Sequence, residues 1–260
     1  MPRDFTMDKY RELCAAVMDR YSPVTVKDFL LGRKKYSKVA IMRHDVDRNP
    51  EKALEMAKLE AEMGISSTYY FRVKPKVFIP EIITEISKLG HEVGYHYEVV
   101  DKAKGDLQKA IEIFKKELNE FREIVEVKTV CMHGNPLTPW DNRDLWKEYD
   151  FEKFNIIGEA YLSIKHEDIR YFSDTGRCWS GEYSIKDTIN SNSKKEEKLR
   201  IKTTDDVIRI IREGVFEQIY IVTHPNRWST TYFEWLVELF SQNVKNLGKK
   251  VIRYGRALQN

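Results

Sequence analysis

Cysteine is scarce: Cys14, Cys131 and Cys178 are the only three in 260 residues. The number is odd and no CxxC spacing occurs, so neither a disulfide framework nor a cysteine zinc site is expected. Charge of one sign is not in excess either. The 44 basic and 41 acidic residues leave a formal net charge of +3 and are spread along the chain without a basic stripe, so nucleic acid is not an expected partner. No apolar run approaches the ~20 residues of a membrane span. Residues 1–10 carry Arg3, Asp4, Asp8 and Lys9 without the apolar stretch of a signal peptide. A cytoplasmic protein with reduced thiols is the expectation. Neither an internal repeat nor a linker is visible, and a single domain over residues 1–260 is expected.

What is present is ample core material, 42% hydrophobic and 33% charged residues, arranged so that strand-like apolar runs alternate with longer amphipathic runs. Residues 38–42 read as a strand delivering Arg43-His44-Asp45-Val46-Asp47 at its end. Asn49 and Pro50 follow as N-cap and first helical position, and Ala53, Met56, Ala57, Leu59 and Met63 recur at helical spacing. The unit repeats with strands over 67–73, 92–97 and 127–132 and helices over 80–89 and 106–121. A helix over 205–212, a strand over 219–222 and a helix over 231–247 close the chain. Such a series predicts an α/β fold with a parallel barrel of six to eight strands. The first 35 residues read as extra N-terminal helices, with Tyr10, Leu13, Val17 and Met18 on one face, and the lysine-rich run 191–202 reads as a solvated loop.

The chemistry-bearing residues gather at strand ends. Asp45 and Asp47, two apart, project to one side of an extended chain, and two carboxylates so placed call for a cation or a proton between them. Three further strands finish in histidine: His96 with Glu98 beyond it, His133 before Gly134, and His224 before Pro225. Histidines converging on an aspartate pair at one barrel face suit an oxygen/nitrogen metal site or an acid–base centre. His166 has no such setting and reads as a surface residue. Arg177 and Arg227 are candidates to hold a carboxylate, a phosphate or an aspartate, and Trp179, Trp140 and Trp228 to stack on sugar rings.

The segments Arg43-His44-Asp45-Val46-Asp47, Gly90-His91-Glu92-Val93-Gly94-Tyr95-His96 and Thr223-His224-Pro225 resemble the polysaccharide deacetylases of carbohydrate esterase family four, especially their shorter intracellular deacetylase-like relatives, over roughly residues 38–228. The resemblance implies a distorted (β/α)7 barrel that removes acyl groups from N-acetylated sugars with a divalent metal, commonly zinc. It assigns Asp45 as catalytic base, Asp47 and His96 as metal ligands and His224 as general acid. This chain departs from the pattern twice: Val46 separates the aspartates, and Val100 stands where a second ligand histidine is expected. Either His133 or Glu98 completes the site. We favour His133, because imidazole suits zinc and Gly134 frees its loop to turn inward, with Glu98 orienting His96. The expected partner is a small-molecule or glycan substrate. A metal-independent cyclic-amide hydrolase and a catalytically silent carbohydrate-binding barrel are the competing expectations.

Overall fold

The computed structural model describes residues 3–32, 37–165, 169–181, 183 and 201–257, the side chains of 249–257 excepted. His166 and residues 191–200 of the lysine-rich run lie outside the described residues. Helix α1 (Met7–Arg20) begins at Thr6, whose hydroxyl accepts from the Lys9 amide, and leads into strand β1 (Ser22–Val24) and the short α2 (Val26–Leu30). Strand β2 (Val39–Val46) is buried along its whole length and extends four residues beyond the expected end, so the Arg43-His44-Asp45-Val46 run lies within the sheet rather than after it.

Helix α3 (Pro50–Glu62) follows, with proline at its first position as expected. Asn49 precedes it in the left-handed region, and its side chain makes no capping bond. The series continues through β3 (Thr68–Phe71), α4 (Pro80–Lys88), β4 (Glu92–Tyr97), α5 (Val99–Lys102), α6 (Leu107–Arg122) and β5 (Thr129–Met132). Next come α7 (Leu145–Glu148), β6 (Gly158–Glu159), β7 (Ile169–Ser173), α8 (Thr204–Glu213), β8 (Gln218–Thr223) and α9 (Tyr232–Ala257).

Seven strands run in the order β6-β5-β4-β3-β2-β8-β7, all parallel, and with the surrounding helices they form a distorted (β/α)7 barrel. No ladder joins the edge strands β6 and β7 among the described residues. The N-terminal segment is more than helical. Strand β1 pairs with residues 39–41 of β2 and β3 with residues 43–46, so the two share one edge of β2 while β8 occupies the other.

Alternation along β2 separates two cores. Val39 and Ile41 join the interior cluster with Tyr70, Tyr220 and Val130, while Ala40 and Met42 pack with α1 and α8 through Tyr10, Leu13, Val17, Val207 and Ile211. The same alternation sends Arg43 and Asp45 inward and His44 toward α3. Strand β4 behaves alike: Tyr95 packs on Phe114 and Phe121 of α6, while a Cβ at Gly94 would run into the Tyr70 ring and lie 2.8 Å from the Thr129 carbonyl.

Candidate metal and acid–base site

Each strand of the site ends where its side chain is needed. Asp45 near the end of β2, Asp47 just beyond it, His96 in β4, His133 just beyond β5 and His224 just beyond β8 all line one cavity, with Gly134, Arg48, Arg227, Gln242 and Lys245 around it. Parallel strands put their C-terminal ends on one face, which is why the ends of four separate strands meet.

Asp45 is held by its own strand neighbour. Arg43, fully buried, donates from Nε to Asp45 Oδ1 at 2.7 Å and from Nη2 to Oδ2 at 2.6 Å, a bidentate pair possible because residues two apart share a face. Burial opposes the ionised carboxylate, but Arg43 and then His96 outweigh it and hold its pKa down to about 2. The Arg43 guanidinium in turn lies over the Tyr161 ring, 4.4 Å from its centroid.

Asp47 is different. Its Oδ1 is buried without a hydrogen-bond partner, and it sits 3.5 Å from Nε2 of both His96 and His133. His96 Nδ1 lies 3.0 Å from the Cys131 carbonyl; a carbonyl only accepts, so Nδ1 carries a proton and Nε2 faces Asp47, and although burial lowers the ring's pKa, Asp45 and Asp47 outweigh it and raise it above the ordinary value. Burial keeps His133 neutral, its pKa lowered to about 3 despite the nearby Asp47 carboxylate. The His133 carbonyl accepts from Asn142 Nδ2 at 2.9 Å and its amide donates to the Tyr97 carbonyl at 2.8 Å, fixing the turn on which Gly134 follows. A buried carboxylate oxygen beside two imidazole Nε2 atoms is a donor set suited to zinc or a similar divalent ion, which would take the place of any proton on Nε2.

Another group of potential ligand atoms is tighter. One atom each of Asp45, His96 and Cys131 lies within 4.8 Å of the others. Both Asp45 oxygens are already engaged by Arg43, and the Cys131 thiol, fully buried, donates to the Met132 carbonyl at 3.4 Å. The Asp47 set has an unsatisfied oxygen and opens onto the cavity, and on those grounds it is the better candidate.

Glu98 does not line the cavity. It stands behind His133 rather than the expected His96, its Oε2 3.6 Å from His133 Nδ1, and is neutralised by Arg72, with Lys74 at 3.3 Å; His96 Nδ1 is taken instead by the Cys131 carbonyl. His224 is oriented by a residue absent from the expected site set: Asp174 Oδ1 lies 2.6 Å from His224 Nδ1, and its Oδ2 accepts the His224 amide at 3.0 Å. Arg227 Nη1 and Trp228 Nε1 also donate to Asp174, at 2.6 and 2.9 Å. Arg227 therefore meets an aspartate, one of the three groups expected of it, while also reaching the cavity wall.

The structure does not bring Arg177 or Trp179 to this cavity. Trp179 is buried in the outer core, stacked on Phe5 and donating to Thr204 Oγ1 at 3.0 Å. Arg177 lies over Phe5 and Trp235 and donates to the Trp235 carbonyl at 3.3 Å. Trp228 is equally buried, and Trp140 packs beside Gly105. Apolar rings here serve packing, and a tryptophan next to a strand end carries no signal that distinguishes the two uses.

No family model and no curated protein matches the chain. Similar solved structures include a Streptococcus mutans CE4 esterase, 11% identical, with a TM-score of 0.44 over 93% of this chain and 90% of that one. A Bacillus anthracis CE4 family pseudoenzyme is 11% identical, with a TM-score of 0.39 over 83% of this chain and 63% of its own. A mutant of that pseudoenzyme with restored enzymatic activity is likewise 11% identical, with a TM-score of 0.39 over 84% and 65%.

Proposed function

We propose that this protein is a hydrolase that removes an acyl group from an N-acylated sugar or a related amide, with Asp47, His96 and His133 holding a divalent cation, zinc being the best fit. The observation that carries the proposal is the buried, unpartnered Asp47 Oδ1 set 3.5 Å from two imidazole nitrogens. Leaving such an oxygen unsatisfied costs on the order of 1–3 kcal/mol, and a ligand at this point would remove that cost.

A divalent cation supplies polarisation of the acyl carbonyl and acidification of water. The chain's own residues do the rest. Asp45, ionised and fixed by Arg43, accepts the proton of the attacking water. His224 carries its proton on Nδ1 toward Asp174, and its Nε2 delivers a proton to the departing nitrogen as the C–N bond breaks. The motifs ending in Asp47, His96 and Pro225, resembling those of polysaccharide deacetylases, support the reaction class. The wall formed by Arg48, Arg227 and Lys245 suits a substrate with a carboxylate or phosphate beside its acylated sugar.

The test is to purify the protein with and without zinc and measure acetate release from N-acetylated mono- and oligosaccharides. Zinc-dependent release is expected, abolished in Asp47→Ala. A zinc-binding protein that releases no acyl group from any of them would leave carbohydrate binding as the better reading, and release independent of metal would favour the cyclic-amide hydrolase chemistry.

A further inference from the structure

Helix α9 is inside out. Its inward side is polar: Glu234 meets Lys52 at 3.0 Å, Glu238 meets Arg48 at 3.4 Å, Gln242 donates to Asn246 at 2.8 Å, and Asn246 donates to the Gly176 carbonyl at 2.8 Å. Its outward side is apolar, with Phe233 and Phe240 each 74% exposed, Leu247 66%, Val244 58% and Val237 52%. Seven of the twelve exposed large hydrophobic side chains among the described residues lie on this one helix. An amphipathic helix in a globular protein ordinarily does the reverse.

The spacing is as telling as the exposure. Phe233, Val237, Phe240, Val244 and Leu247 are separated by four, three, four and three residues, the heptad seam of a two-stranded coiled coil. With the neighbouring Tyr232 and Leu236, these side chains present roughly 700 Å² of apolar surface, above the 300–600 Å² of an ordinary monomer's largest patch and close to the ~800 Å² per partner of a stable interface.

We infer that α9 pairs antiparallel with α9 of a second copy of this chain. Antiparallel pairing about Phe240 sets Phe240 against its own copy, Leu236, 41% exposed, against Val244 of the partner subunit and Phe233 against Leu247 of the partner subunit. Opposed helix dipoles favour the same direction, and a twofold axis through Phe240 closes the assembly at two copies. The pairing also bears on the cavity, because Gln242 and Lys245 reach its wall from the same helix.

Light scattering on the eluting full chain at micromolar concentration tests the inference, and its outcome is independent of any hydrolytic activity. The wild-type protein is expected at twice the chain mass. Phe240→Glu and Val237→Glu are expected at the chain mass, with unchanged circular dichroism, since both positions are exposed in the single chain. A wild-type protein at the chain mass, or a Phe240→Glu protein still at twice that mass, overturns the proposal, as does a monomer that sediments with anionic lipid vesicles. In a Cys178→Ser background, a mixture of Phe233→Cys and Leu247→Cys proteins should oxidise to the mixed 233–247 cross-link. Cross-linking of 233 to 233 instead would establish parallel pairing and overturn the arrangement.

Discussion

Two carboxylate–histidine clusters lie on opposite sides of β2, and alternation along that one strand assigns a residue to each. On the outer side, Glu60 of α3 is completely satisfied. It accepts from the hydroxyls of Tyr10 and Tyr69, the latter at 2.7 Å, and its Oε1 lies 3.0 Å from His44 Nε2. His44 Nδ1 is 2.7 Å from Thr223 Oγ1. His91, also part of this cluster, is closed off by the Ser67 amide on Nδ1 at 3.1 Å and the Ala57 carbonyl at Nε2 at 2.9 Å. On the inner side, Asp47 Oδ1 and His133 Nδ1 have no hydrogen-bond partner. Similar side chains thus do different work: where every polar atom is paired the cluster holds the fold together, and where atoms are left over it waits for a ligand.

That contrast predicts its largest effect on stability. Glu60→Ala strands two tyrosine hydroxyls and His44, and should cost about 3–5 kcal/mol of unfolding free energy in urea at pH 7. Asp47→Ala, measured the same way on metal-free protein, should cost less than about 1 kcal/mol, because the lost oxygen has no bond to lose. Equal costs at the two positions would erase the distinction. Acid sharpens it further. Burial opposes ionisation of Glu60, but His44 outweighs it and holds the pKa down to about 2 from an ordinary 4.5. A depressed folded-state pKa contributes stability above about 4.5 that is lost as pH falls toward 2, so the gap between wild type and Glu60→Ala should narrow across that window.

Within the inner cluster the effects are graded. Asp45→Asn should slow turnover roughly a hundredfold or more, as expected of a lost general base, and should also cost stability, since Arg43 keeps its charge in a buried site without its counter-ion. Glu98→Gln should weaken zinc affinity by about tenfold, the low end for a residue acting through a ligand, because Glu98 touches His133 rather than the cavity. Arg177→Ala should leave kcat/KM within about twofold, its guanidinium being engaged with Phe5 and Trp235 on the other face of the sheet. A large loss there would place a substrate contact outside the cavity described.

Much of this was legible in the sequence. The βα alternation carried the fold, because parallel strands buried on both faces read as apolar runs between helical patterns. The strand-end positions of Asp45, Asp47, His96, His133 and His224 carried the cavity, since topology alone sends those ends to one face. Other features had weak signals. Strand β1 is three residues and β6 two, too short for any periodicity. Arg43 was within a quoted motif, and its spacing of two from Asp45 was the clue that both share a face and pair. The bond from Asp174 to His224 spans 50 residues, and only the assembled sheet reveals it. The tryptophans misled because burial and ring stacking draw on the same residue type.

The central claim is that Asp47, His96 and His133, rather than the tighter group of Asp45, His96 and Cys131, hold a divalent cation. Zinc content after equilibration against a competing chelator decides between them. The wild-type protein should retain about one equivalent, Cys131→Ala should retain the same, and His133→Ala should lose affinity by more than ~100-fold, beyond the range of a residue that merely orients a ligand. Unchanged affinity in His133→Ala together with loss in Cys131→Ala would contradict the assignment and move the cation to the group of Asp45, His96 and Cys131.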